Sequence, residues 1–160
     1  MRKIFFSFLF LLLIVSLIVV KVSAQNTNQP VPKATGDVWM SGPPSQQWDF
    51  NAFDYGDPTL DKGTVQYWNY DVNLNYTANV FCAHVYGKSA NFAFQIPNGN
   101  PYAGTFIVVA LIDNGSPGAN LDTLGFNIAS DRANAITQCG TNNLETSINY
   151  PITAGNLVVH

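Results

Sequence analysis

The chain has 160 residues, 47% hydrophobic, 13% aromatic and only 11% charged, with 7 Lys plus Arg against 10 Asp plus Glu and a formal charge of −3. That length suits one domain with a sizeable core rather than two, and so weakly charged and aromatic a chain buries enough surface to offset its ordering entropy, which excludes disorder as its main state. Scattered bases cannot build an electropositive track, so nucleic acid and anionic lipid surfaces are excluded as partners.

Arg2 and Lys3 precede the apolar run Ile4–Val20, and Val22-Ser23-Ala24 supplies small residues at its exit. Basic head, apolar middle and small-residue exit predict a secretory signal peptide over 1–24. The alternative is an uncleaved anchor, for which the run is just long enough. The polar Gln25–Gln29 that follows favours cleavage, after which no membrane insertion is expected. Loss of Arg2, Lys3 and Lys21 would leave four bases against ten acids, a formal charge of −6.

Residues 25–36 contain Pro30, Pro32 and Gly36 and no apolar period, which predicts a flexible leader before a single domain over 37–160. From Asp37 onward, short period-two runs alternate with turn residues. Trp48, Phe50 and Ala52 form one such run, Val72, Leu74 and Tyr76 another. Ala90 to Ile96 and Leu124 to Ile128 repeat the pattern. Each predicts a strand with one buried face. Thr105–Ile112 is apolar almost throughout and predicts a central strand covered on both sides. Pro97-Asn98-Gly99 and Asn114-Gly115-Ser116-Pro117-Gly118 are turn signals, making 89–130 a three-strand meander. Ser130–Thr137 predicts one or two helical turns capped by Ser130 or Asp131. The sum is an all-β chain, an antiparallel β-sandwich or barrel of about eight or nine strands.

Two cysteines in an exported chain predict one disulfide, Cys82–Cys139, closing a loop of roughly 58 residues worth about 4 kcal/mol in the chain-entropy model. The alternative is two unpaired thiols. No CxxC or Cys/His cluster accompanies them, which argues against metal ligation by the pair.

Asp113–Gly118 reads Asp-Asn-Gly-Ser-Pro-Gly after an apolar strand. It precedes Asp122-Thr123-Leu124-Gly125-Phe126-Asn127-Ile128, and the sequence ends Gly155-Asn156-Leu157-Val158-Val159-His160. This order resembles the small post-COAP type β domain of secreted and surface proteins. The resemblance covers roughly 37–160 and is specific over 105–128 and 155–160. It implies a β architecture and an exported setting, and brings no established catalytic activity. Cys82, Cys139 and an insertion near 131–147 depart from the family pattern. A cadherin-like reading of the same turn lacks its acidic partners, since Asp131-Arg132 is followed by Ala133.

Several constellations carry candidate chemistry. Asp113, Asn114, Asn120 and Asp122 on one hairpin offer oxygens to calcium, the only cofactor suggested; ordinary turn chemistry explains the same residues. Asp54, Asp57 and Asp61 form a second acidic stretch that does not match a calcium loop. Tyr67-Trp68-Asn69-Tyr70-Asp71 places aromatics on both faces of a strand. One face can present flat rings to a sugar, with Gln66, Asn69 or Asp71 making polar contacts, unless a second layer covers both. Catalysis has little to stand on: Glu145 is the only glutamate, His84 and His160 are the only histidines, and no G-x-S-x-G elbow is present. Asn75 and Asn114 head glycosylation sequons. The expected function is a non-catalytic extracellular or cell-surface β domain that binds or coats, with an extracellular glycan or protein as partner. The alternative is a carbohydrate-binding module built on the Tyr67–Asp71 strand.

Export gives the first prediction. Material from the native host should begin at Gln25 by intact mass or N-terminal sequencing; a start at Met1 with retention in the membrane fraction would mean an anchor.

Overall fold

The computed structural model describes residues 30–115, 121–146 and 148–160, with the side chains of 148 and 149 left aside. The expected signal peptide and the leader as far as residue 29 lie outside the described residues.

Nine strands and one helix follow in order. They are β1 (Lys33–Met40), β2 (Gln46–Phe53), β3 (Lys62–Asn69), β4 (Leu74–Tyr86), β5 (Ser89–Gln95), β6 (Phe106–Ile112), β7 (Thr123–Ala129), α1 (Arg132–Cys139), β8 (Ile148–Pro151) and β9 (Ala154–Val159). All nine strands belong to one antiparallel sheet, ordered β8-β7-β6-β5-β4-β3-β2-β1-β9, curled into a half-barrel. The all-β class is as the patterning predicts. The two-sheet sandwich among the expected arrangements is not formed, because β1 to β8 pair consecutively as a meander, β9 adds beside β1, and no second sheet exists among the described residues.

β8 and β9 occupy opposite edges, yet only Ile152 and Thr153 separate them. β8 is antiparallel to β7 and β9 to β1, and alternation along the meander makes β1 and β7 run the same way. Residues 148–159 therefore form one bent stretch, pairing β7 with its first part and β1 with its second. Ile152 N–H donates to the Asp122 carbonyl at 3.0 Å, and Thr153 N–H to the Trp39 carbonyl at 2.8 Å. The Ile152 side chain is fully buried. Gly155 has φ +96°, and a Cβ there would collide with the Asp37 carbonyl oxygen, so glycine lets β9 close on β1.

Period-two alternation fills the concave face. Val38 and Met40, Trp48 and Phe50, Val65 and Tyr67, Phe92 and Phe94, Val109 and Leu111 all point inward. Phe50 packs on Phe92 at 5.2 Å between ring centroids, and Gly36 makes room for it, since a Cβ there would lie 2.7 Å from Phe50 Cζ. β6 is paired on both sides, as expected of a central strand. Its concave side faces this core, and on its convex side Val108 packs beneath α1 with Cys82, Ala93, Ala129 and Ala135.

α1 starts where the Asp131 carboxylate accepts the Asn134 N–H at 2.8 Å. Its far end is held twice. Cys139 is bonded to Cys82, and buried Asn91 donates through Nδ2 to the Cys139 and Thr141 carbonyls at 3.0 and 2.7 Å. Arg132 lies over the Phe81 ring, 4.1 Å from its centroid.

Two expectations need correction. Lys33–Gly36 belongs to β1 rather than to a leader, because its backbone pairs with both β2 and β9. Val72 is in a turn, not a strand; β4 begins at Leu74, after Asn73 takes φ +50°.

The disulfide spans 57 residues and anchors the only helix among the described residues to the sheet. Replacing both cysteines by alanine should cost about 2–4 kcal/mol in urea unfolding. A loss below about 0.5 kcal/mol would mean that Asn91 and the apolar contacts suffice to hold α1.

Candidate functional site

α1 covers the convex side of β4–β7 and leaves that of β9, β1, β2 and β3 bare. The register places Trp39, Gln47, Trp68 and Asn75 in one cross-strand row there. The next row holds Asn156, Asp37, Asp49, Gln66 and Thr77. The two tryptophans flank Gln47, two strand spacings apart, roughly 10 Å. Tyr70, just past β3, lies parallel to Trp39 with centroids 5.4 Å apart and an interplanar angle of 8°. Trp39 remains 39% exposed and Tyr70 50%; Trp68 is half-buried.

Hydrogen bonds fix this corner. The Tyr70 hydroxyl donates to Gln47 Oε1 at 2.7 Å, and Gln47 Nε2 donates to Asp37 Oδ1 at 3.0 Å. The Tyr70 N–H donates to the Ser45 carbonyl, extending the β2–β3 register past its last ladder pair. Rings held this way are preorganised, which lowers the entropy cost of binding.

The five-residue strand expected to form a sugar platform divides between two faces. Trp68 and Tyr70 lie on the convex face. Tyr67 is buried on the concave face against Trp48, 4.7 Å between centroids, and burial raises its phenol above the ordinary value against the opposing bond from Asn69. Asn69 Nδ2 donates to Tyr67 Oη at 3.2 Å and so belongs to the interior as well. Asp71 accepts the Ser45 N–H at 3.2 Å and holds the turn. Trp39, Gln47 and Asp37 complete the corner. The sequence patterning names no strand before the Trp48 run and so omits them, although the Asp37-Val38-Trp39-Met40 alternation carries the signal.

The acidic residues are occupied by the backbone. β4 outruns β3, whose pairing stops at Gly63↔Val80. Beyond it, Asp61 Oδ2 accepts from Ala83 N–H at 2.9 Å and Asp54 Oδ2 from Val85 N–H at 2.8 Å. Asp61 Oδ1 also accepts from Tyr55 N–H. These carboxylates stand in for a missing neighbouring strand. Asp54 further lies 3.8 Å from His84 Nδ1, whose Nε2 is 2.7 Å from Asn142 Oδ1. In the hairpin, Asp113 accepts from Gly115 and Val159 N–H, and Asp122 Oδ1 from Asn114 N–H at 2.8 Å. Asp122 is fully buried, and its Oδ2 has no partner among the described residues. Asn120 lies outside the described residues, within which no three His, Cys, Asp or Glu converge as a metal site. Asn114 is exposed, with Nδ2 donating to the Leu121 carbonyl. Exposed Asn75 pairs across from Trp68, so a glycan there would lie over the aromatic corner.

No family model, curated protein or solved structure matches this chain.

Burial raises the carboxyls of both Asp122 and Asp61. A raised carboxylate binds its proton more readily folded than unfolded. Its contribution to stability therefore declines as pH climbs from the unfolded value, about 3.9, through the folded one, and the penalty is complete at neutral pH. Asp122→Asn keeps an oxygen for Asn114 N–H and removes that penalty, so it should shift stability at neutral pH by less than about 1 kcal/mol and flatten the acidic slope. Asp61→Asn leaves one of two amides without its acceptor and should cost about 1–3 kcal/mol. Urea titrations across acidic to neutral pH check both, and equal losses would contradict the distinction.

Proposed function

We propose that the chain is an exported, non-catalytic binding domain of the extracellular space or cell surface, and that it holds glycan on the convex corner formed by Trp39, Tyr70 and Trp68. The observation carrying this reading is the exposed, parallel Trp39–Tyr70 pair, fixed by Gln47 and set beside rows of amide, hydroxyl and carboxylate side chains. Sugars offer apolar C–H faces and a fringe of hydroxyls, and flat rings next to short polar groups complement both. The four bases against ten acids left after export favour a neutral or cationic ligand over a polyanion.

The non-catalytic reading is supported by what the acidic groups do. Asp54, Asp61 and Asp113 accept backbone amides that fix strand ends and loops. Kinship with the post-COAP type domains belongs to the same proposal. The Asp113–Val159 bond, 3.1 Å, favours it, because it joins the two segments that carry the resemblance.

Glycan-array screening followed by calorimetry tests this reading. Trp39→Ala and Tyr70→Ala should each weaken the strongest array ligand by about 2 kcal/mol, as for an aromatic anchor at the centre of an interface, with little change in urea midpoint. An array without a ligand, or one whose binding ignores both substitutions, would leave a structural coat domain as the better description.

A further inference from the structure

The interior of the half-barrel is filled only as far as Trp48. That ring is buried and packs on Tyr67, Phe94 and Phe126, with centroids 4.7, 6.4 and 6.0 Å away. Beyond it, where the β3–β4 turn and the β5–β6 loop lie, the concave side opens into a cleft of about 360 Å³. Its walls include Tyr76, Ile107 and Phe126. Its rim carries Val72, Tyr102 and Ile128, which are 67%, 61% and 67% exposed. Single exposed apolar residues are normal on protein surfaces. Three large ones from three separate segments around one mouth mark a surface that something covers.

The lining specifies the chemistry of the occupant. The volume falls at the lower end of small-molecule sites, roughly 300–1,000 Å³. None of its described lining residues is Lys, Arg, His, Asp or Glu, so a charged group entering the cleft would lose water and find no counter-ion. The fixed polar feature is the Tyr67–Asn69 pair. Because the Tyr67 oxygen already accepts from Asn69, what the phenol offers a ligand is its proton. Asn69, Thr105 and the hydroxyls of Tyr76 and Tyr102 are the other polar groups of the lining.

We propose that this cleft is a binding site for a small uncharged apolar molecule, of one or two rings or a short branched hydrocarbon, bearing a carbonyl, ether or hydroxyl oxygen that accepts from Tyr67. The site is on the opposite face of the sheet from the glycan corner and does not depend on that reading.

N-phenylnaphthylamine, an uncharged fluorophore of about this size, serves as the probe, and anilinonaphthalene sulfonate as its anionic counterpart. Both are titrated into the protein, with tryptophan emission followed in parallel. The neutral probe should bind one per chain, brighten and quench the part of that emission due to Trp48, while the sulfonate binds at least about tenfold more weakly. Val72→Glu and Ile128→Glu alter exposed positions and should each weaken the neutral probe about tenfold. Leu60→Glu, at an exposed apolar residue outside the cleft, should leave it unchanged. A neutral acceptor such as a naphthyl ketone should lose affinity in Tyr67→Phe. Absence of neutral-probe binding, equal affinity for the sulfonate, or equal sensitivity to all three Glu substitutions would overturn the proposal. So would a dimer in sedimentation velocity that Val72→Glu and Ile128→Glu dissociate, because the rim would then be covered by a second copy.

Discussion

The architecture depends on a constraint at the end of the chain. Two residues separate the strand at one edge of the sheet from the strand at the other, and the three Cα steps across that link reach only about 10 Å. A flat nine-stranded sheet would put its edges many strand spacings apart, at roughly 4.8 Å each. The sheet must curl until β7 and β1 lie close enough for 148–159 to serve both. Curling gives it a concave side that the alternating aromatics fill and a convex side that needs separate cover. It also shields edge amides that would otherwise invite pairing with another chain. Ile152 is buried where the stretch changes partners, so the bend is held by the core as well as by its hydrogen bonds.

The convex side is covered over only half its width. α1, the disulfide and Asn91 lie over β4–β7, where Cys82, Ala93, Val108 and Ala129 add apolar outward side chains to the apolar inward ones. Over β9 and β1–β3 many outward positions carry Thr, Asn, Gln and Asp; Phe53 and Val158 share that face farther along, and so do Trp39 and Trp68. A solvated sheet face needs polar residues, and those two rings break the pattern where Tyr70 and Gln47 hold one of them in place. The acidic loop before β3 solves a related problem: β4 is longer than its neighbour, and carboxylates satisfy the amides the neighbour cannot reach.

Much of this is legible in the sequence because a strand writes its burial every second residue. The β2, β5 and β7 alternations, the unbroken apolar run of β6 and the Asp131 helix start all have local causes. The disulfide is expected once the first residues are read as a signal peptide, because no third cysteine competes for the pairing. Less local features are not legible. Nothing within Ile148–Val159 says that its two parts pair with strands at opposite edges. The β1 strand hides behind Pro30 and Pro32, because Ala34 and Gly36 are too small to write an apolar period. Val72 continues an apparent alternation across a turn, since an exposed valine at the mouth of the cleft looks in sequence like a buried one. The aromatic corner is half legible: Trp68 and Tyr70 are read from parity, but their partner Trp39 comes from a strand brought alongside only by tertiary pairing.

The end of β3 carries both candidate surfaces, Tyr67 and Asn69 inward and Trp68 and Tyr70 outward. Only register keeps them apart, for a slip of one residue exchanges every side chain between the faces. A slip would put Trp68 into a core already occupied by Trp48 and Phe94, and would strand Asn69 and Tyr70 away from their partners. Three bonds oppose it at the strand end: Tyr70 N–H to the Ser45 carbonyl, Tyr70 hydroxyl to Gln47, and Asp71 to the Ser45 N–H. The same bonds that hold Tyr70 on the convex face therefore also fix Tyr67 toward the cleft. Weakening them is expected to loosen both surfaces, even though no ligand on one side touches the other.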